Sequence, residues 1–339
     1  MNILPKFSMA KHKAGWALLV SFAGLLLFFI LGICLGATTF SLSEIGSVLY
    51  NGNTQDPLYR ILIYVRLPRV LGAFLAGCGL SVAGAIIQSV LNNPLASPNI
   101  IGVNTGAGLL VLLVSAFFPG MHFLTPLAAF LGALLTSFII LAIAVATDAS
   151  KLTLVLTGFA ISSIWGAGMN LILILYPDAY VGASTFLVGG LASLTLDALF
   201  YPAIYIGVGL TLALLCGREL NILSLGEQTA SSLGMNVKKR RIILITIAAV
   251  LAGAAVSFAG LIGFVGLIVP HAVRFLIGHD HRWVLPICAL AGGAFVILCD
   301  LLARTLFAPY ELPVGILLSF IGGPFFVILI IRNRRKNYA

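Results

Sequence analysis

The stretch LAGCGLSVAGAIIQSVLNNP occupies residues 75–94, and a second stretch, LAGAAVSFAGLIGFVGLIVP, occupies residues 251–270. Neither holds a charged residue. Each is as long as the roughly 20 apolar residues needed to cross a bilayer's hydrocarbon core. Both are rich in Gly, Ala and Ser, and glycine weakens a helix in water. In lipid the same residues are useful, because small side chains at four-residue spacing let helix backbones approach closely. Gly77, Ser81 and Ala85 have that spacing. The two stretches therefore read as tightly packed transmembrane helices.

The whole chain agrees with this reading. Of its 339 residues, 60% are hydrophobic and 9% are charged, against roughly 25% charged in a soluble domain. So few charges cannot cover a water-facing surface, so the chain is read as an integral membrane protein. The formal charge of +9 is not a nucleic-acid face, because the bases sit just outside apolar runs, as the positive-inside rule predicts. Cys34, Cys78, Cys216, Cys288 and Cys299 are scattered singly, with no CxxC spacing. That pattern speaks against a disulfide framework, a zinc site or redox chemistry.

Apolar runs fall near 15–36, 64–91, 100–118, 123–147, 152–176, 198–216, 242–262, 283–303 and 313–331, and a shorter run at 264–278 suits a half-length helix. The expected fold is an all-α polytopic membrane protein of about ten transmembrane helices, a single permease domain over residues 1–339. The run from Trp16 to Leu35 follows Lys6, Lys11 and Lys13. It exceeds the roughly 7–15 apolar residues of a signal peptide, so it reads as the first span. Ten spans place both basic ends on one side, expected to be the cytoplasm. Lys151, Arg218, Lys238 to Arg241 and Arg282 then fall on that same side, and 14 of the 19 bases do so in all.

Shifting the sequence by 176 positions pairs Gly77 with Gly253, Ser81 with Ser257, Gly84 with Gly260 and Pro94 with Pro270. Twelve of the 28 positions in 75–102 are identical across the shift. Five spans separate the copies, an odd number, so residues 64–176 and 240–331 are expected to form inverted halves. Such repeats build transporters whose pathway lies between the halves. Gln88 and Asn92 share a helical face, and polar groups inside a membrane tend to face a bundle interior or a wet cavity. They equally suit a helix end before Pro94.

A transporter needs a driving force. No lysine follows a glycine, so the chain lacks the GK pair of a phosphate-cradling Walker A loop. Asp300 is the one acid clearly within an apolar run, four positions before Arg304, which suggests an intrahelical pair. Energy is thus expected from a partner. The hydrophilic segment 217–241, with Gly226 and Gly234 bracketing a short helical pattern, is where a partner would push. Arg60, Arg66, Arg69 and Arg304 fall on the opposite side, where they suit lipid headgroups or an acidic partner. His279 and His281 flank Asp280 and invite a metal reading, but the turn supplies no third ligand, so a charged turn is expected. His271 stands apart.

Three stretches, RLPRVLGAFLAGCGLSVAGAIIQSVLNNPLASPNIIGVNTGAG, GLIGFVGLIVPHAVRFLIGHDHRWVLP and ELPVGILLSFIGGPFF, resemble the FecCD-type permeases, membrane subunits of type II ABC importers for ferric siderophores, haem and vitamin B12. The resemblance runs from about residue 16 to 332. It implies a bacterial cytoplasmic (inner) membrane protein, multi-pass with both termini cytoplasmic. It implies a permease homodimer or heterodimer, two cytoplasmic ABC ATPase subunits and an extracytoplasmic substrate-binding protein. No cofactor is implied on this chain, since ATP and Mg sit on the partner ATPase. The binding-protein docking residues implied are Arg66, Arg69 and Arg304. The ATPase coupling residues are Glu227, Ala230, Leu233 and Gly234, although EQTASSLG lacks the middle alanine of the family's EAA pattern. The gate maps near Asn92, Asn93, Ser150 and Lys151, next to Gln88, which the helical face already offers as a pathway residue. A ferric siderophore is the expected cargo, with haem and cobalamin as alternatives. The chief rival reading is an ion-coupled carrier.

Overall fold

The computed structural model describes residues 4–36, 38–147 and 151–337. In chain order the helices are α1 (Leu4–Cys34), α2 (Leu42–Asn51), α3 (Pro57–Arg60), α4 (Leu67–Val90), α5 (Val103–Phe117), α6 (Thr125–Ala146), α7 (Lys151–Leu175), α8 (Asp178–Val188), α9 (Leu196–Leu215), α10 (Gly217–Ser224), α11 (Glu227–Ser232), α12 (Val237–Ala259), α13 (Val265–Ile277), α14 (His281–Thr305) and α15 (Val314–Asn337). No strand occurs among the described residues. Seven helical stretches are long and apolar enough to cross a membrane, and α5, α13 and the apolar part of α15 are shorter apolar helices. Together they match the ten apolar runs of the sequence.

Helix α4 is the axis of the bundle. It packs along α14 and α12 and also touches α13 and α9. From Ala76 to Val90 every residue of α4 is buried. The close approach comes from glycine. A Cβ on Gly77 would sit 2.1 Å from the Gly292 carbonyl oxygen, and one on Gly84 would sit 1.9 Å from that of Gly266. Between them the Ser81 hydroxyl donates to the Cys288 carbonyl at 2.7 Å, tying α4 to α14. By contrast α1 and α7 turn large apolar side chains outward, among them Trp16, Val20, Phe159 and Ile174. A lipid environment tolerates that where water would not.

The second copy of the opening stretch departs from the first. Helix α4 runs unbroken through Gly84, whereas α12 stops at Gly260, whose φ is +73°. The Leu261 amide there donates to the Phe186 carbonyl (2.9 Å), and the Gly190 amide to that of Ala259 (3.0 Å). Irregular backbone at membrane depth persists only where protein or a cavity satisfies its polar groups, and here the end of α8 does so. A register shift of 176 therefore pairs a continuous helix with a broken one, and Pro94, in a turn, with Pro270, inside α13. The order of elements repeats better than the register. Helices α4 to α7 have 24, 15, 22 and 25 residues, and α12 to α15 have 23, 13, 25 and 24. The packing is reciprocal too, α4 on α14 and α12 on α6.

Two short helices were not expected from hydropathy. One, α2, is set by a capping box: the Ser41 hydroxyl accepts from the Glu44 amide, and the Glu44 carboxylate accepts from the Ser41 amide. The motif was legible in SLSE, but a ten-residue helix makes no spanning run. The other, α8, is likewise too short.

Candidate functional site

At one end of α4 the three arginines expected to dock a partner are buried: Arg66 is 3% exposed, Arg69 4% and Arg304 5%. Their heads are spent inside the fold. The cause is the end of α1. A helix leaves its last four carbonyls without intrahelical donors, and Arg66 donates to those of Ile33 and Cys34 and to Thr38 beyond, while Arg304 donates to that of Gly32. The Arg66 guanidinium also lies 3.9 Å over the Phe40 ring. Arg69 binds both Asp300 oxygens through Nε at 3.0 Å and Glu311 through Nη1 at 2.6 Å. Arg304 stands 3.7 Å from Asp300. The expected Asp300–Arg304 pair is therefore the looser one, and the interhelical bond to Arg69 is the tighter. Three cations face two carboxylates, and the negative end of the α1 dipole helps to offset the excess. Arg60 and half of Glu311 remain at the surface.

At the other end of α4 stand the residues expected to form a gate. Gln88 is 3% exposed. Its amide donates to the Gly266 carbonyl at 3.2 Å, and its oxygen accepts from Arg274. It thus seals the α4–α13 contact. Asn92 and Asn93 end the helix. Asn92 has φ +49°, its amide donates to the Ser89 carbonyl (3.2 Å), and the Asn93 amide donates to that of Gln88 (2.9 Å). That is a Schellman stop with asparagine in the left-handed position. Asn92→Gly should leave the melting temperature unchanged or raise it. Asn92→Val should cost about 1–2 kcal/mol, read as a lower midpoint in detergent. Ser150 lies outside the described residues, as does the side chain of Lys151.

The hydrophilic segment folds as α10, α11 and the first turn of α12. Ala230 is fully buried, and Gly234, at φ +80°, ends α11 by the same Schellman geometry, with Gly234 donating to Ser231 and Met235 to Ala230. Leu233 is 63% exposed. Glu227 pairs with Arg241 at 3.0 Å and Glu219 with Arg240 at 2.8 Å, so the segment is pinned twice to the start of α12. The spacing of Glu227, Ala230 and Gly234 thus has a local reason: an anchor, a small seat and a stop.

Asp280 caps α14. Bonds from Arg282, then from the Asn221 amide, hold its carboxyl down at about 2. It stays anionic at any working pH, as a charged turn requires. Among the described residues no three His, Cys, Asp or Glu side chains gather to hold a metal. His281, expected in that exposed turn, is instead buried against Asn221 and Ser89. Sequence reasoning missed Asn221, Ser89 and Arg274. Each is unremarkable alone, and no fixed spacing joins them.

Comparison with known proteins gives this arrangement a context. The model of the FecCD transport family matches residues 24–332. The hemin transport system permease protein HmuU of Yersinia pestis is 38% identical over 325 residues, covering 93% of this chain and 96% of that protein. The iron(3+)-hydroxamate import system permease protein FhuB of Bacillus subtilis is 36% identical over 325 residues, covering 94% of this chain and 84% of that protein. A solved inward-facing conformation of a metal-chelate type ABC transporter superposes with a TM-score of 0.81 at 29% identity, covering 93% of this chain and 98% of that one. With its ten apolar helices, the chain is a multi-pass membrane protein that belongs to the FecCD transport family.

Proposed function

We propose that this chain is the non-catalytic permease subunit of an ATP-driven importer that takes a metal chelate, a ferric siderophore by preference, from an extracytoplasmic binding protein into the cytoplasm. The observation that carries the reading is the family match over nearly the whole chain. A compact, doubly pinned helical segment on an otherwise apolar bundle supports it. The hydroxamate and hemin relatives support a ferric chelate, since hemin and the iron(3+)-hydroxamate both carry iron.

The mechanism proceeds from the ends of α4. Two identical or related permeases enclose the pathway, both termini face the cytoplasm, and two ABC ATPases carry the ATP and Mg while this chain holds no cofactor. ATP-driven closure pushes on α10 and α11, with the exposed Leu233 at the contact and Glu227, Ala230 and Gly234 holding the segment in shape. Through Arg240 and Arg241 the push reaches α12, and the inverted halves rock about α4 and α12. The turn after α4, at Asn92 and Asn93, opens last, together with Ser150 and Lys151. On the outer side the binding protein meets the surface that Arg66, Arg69 and Arg304 hold in shape, with Arg60 and Glu311 presenting the accessible charge. An ion-coupled carrier is disfavoured by Asp300, whose carboxylate is consumed by Arg69.

The test is co-purification of the tagged chain from its native membranes, followed by mass spectrometry and by uptake into vesicles with and without internal ATP. A partner ATPase and ATP-dependent uptake of a ferric hydroxamate are expected. Uptake of hemin or cobalamin alone would replace the cargo and leave the importer intact. A chain that emerges alone and transports without ATP sinks the reading.

A further inference from the structure

Four helix ends meet on one continuous line of side-chain hydrogen bonds. It starts in α10, where Asn221 Nδ2 donates to Asp280 Oδ1 at 2.7 Å. Asp280 is an anion, so the amide nitrogen of Asn221 must face it and the amide oxygen must face His281. That oxygen accepts from the His281 backbone amide at 2.8 Å and lies 2.8 Å from Nδ1. The proton therefore sits on Nδ1. The other ring nitrogen, Nε2, lies 2.5 Å from the Ser89 hydroxyl in α4. Ser89 Oγ accepts from Arg274 Nη2 of α13 at 3.1 Å, and the same nitrogen donates to the Ala85 carbonyl at 3.0 Å. Arg274 Nη1 donates to Gln88, and Gln88 donates to the Gly266 carbonyl, where Gly84 packs.

Side chain to side chain bonds are only about 10–15% of protein hydrogen bonds, so five in series across four elements is not incidental packing. A buried polar chain is costly unless every member is satisfied, and apolar residues would fill the same space more cheaply. Arg274 sharpens the point, because its described bonds all end on neutral acceptors. What it gains is the last turn of α4, whose carbonyl end favours a cation. Such a chain does what apolar contact cannot: it fixes the register of the four ends, so that none moves without the next.

We propose that His281, held by Asn221, is the positioning residue that passes displacement of the α10–α11 segment to the ends of α4 and α13. This rests on the reading that the segment receives the ATPase's push. His281 is 2% exposed and bonds Asn221 of α10 and Ser89 of α4, so its loss leaves α10, which also packs on α4, with no side-chain hydrogen bond to it among those described.

The experiment uses the whole complex, the chain purified with its ATPases and returned to lipid, and needs no cargo. Spin labels at Tyr50 and Gln228 report the segment against the far end of the molecule, and labels at Tyr50 and Pro94 report the end of α4. All three positions are exposed. In the unaltered complex both distances shift when Mg-ATP and vanadate are added. His281→Ala should keep the Gln228 shift and reduce the Pro94 shift about fivefold or more. His281→Gln, which still offers a donor and an acceptor, should restore most of it. Asn221→Ala cuts the same line from the α10 side without touching the membrane interior, and carries the test should His281→Ala not fold. A full Pro94 shift in His281→Ala or, where that variant does not fold, in Asn221→Ala overturns the proposal. A Gln228 label that never moves in the unaltered complex overturns instead the coupling reading beneath it.

Discussion

Replacing Gly84 with alanine is expected to abolish recovery of folded protein, and Gly77→Ala to do the same. The added methyl at Gly84 would meet the Gly266 carbonyl oxygen at 1.9 Å and its carbonyl carbon at 2.5 Å. At Gly77 it would meet the Gly292 oxygen at 2.1 Å. Both obstacles are backbone, so no rotamer change relieves them, and a whole helix must move. Overpacking usually costs about 1–3 kcal/mol where side chains can yield. Where they cannot, the cost belongs with the rare changes above about 4–5 kcal/mol. The measurement is the fraction of detergent-extracted protein that elutes as a single species. Gly24→Ala is the control, because its new methyl meets nothing within 4 Å, and it should behave as the parent. Equal recovery of all three variants would mean that α4 does not lie this close to α13 and α14.

The α14 seam at Gly77 and Ser81 was legible in the sequence, because small residues four apart in an uncharged run have one good use in lipid; Gly84, at the α13 seam, lies outside that spacing. The ten spans were legible for the same reason: hydropathy integrates over some twenty residues and forgives local error. The half-length α13 was visible as a short run, and its boundaries at Val265 and Ile277 follow from Gly260 before it and Gly278 after it. Hydropathy is silent on what is not an average. The burial of Arg66 and Arg304 depends on orphan carbonyls at the end of α1, and a carbonyl has no letter in the sequence. Gln88 was identified as significant, but its partner lies 186 positions away in Arg274. A helical face can be read from spacing, whereas the helix that will cover it cannot. The repeat shows both sides of this limit. Identity survives at Gly84 and Gly260, yet one is mid-helix and the other breaks the chain.

Asp300→Asn is expected to be the most damaging single change of charge. Asp300 is 2% exposed and is the one carboxylate that both Arg69 and Arg304 face. Removing it leaves three arginines against Glu311 alone, and Glu311 is half in solvent. Breaking a buried pair by deleting one partner typically costs about 3–5 kcal/mol, because the survivor keeps its desolvation and loses its counter-charge. At about 2–4 °C per kcal/mol, the thermal midpoint in detergent should fall by roughly 10 °C. The paired variant Asp300→Asn with Arg304→Gln returns the cluster to its original charge balance and should recover at least half of that loss. Recovery separates an electrostatic cause from a packing one, since the second substitution adds no contact. A midpoint unchanged by Asp300→Asn would mean that water reaches the cluster. In that case Arg66, Arg69 and Arg304 would again be free to meet an acidic partner directly. If the midpoint falls as expected, reversing the charge of these arginines unfolds this end of α4 before it tests the proposed docking. The proposed docking surface must then be probed at Arg60 and Glu311, whose heads already stand in solvent.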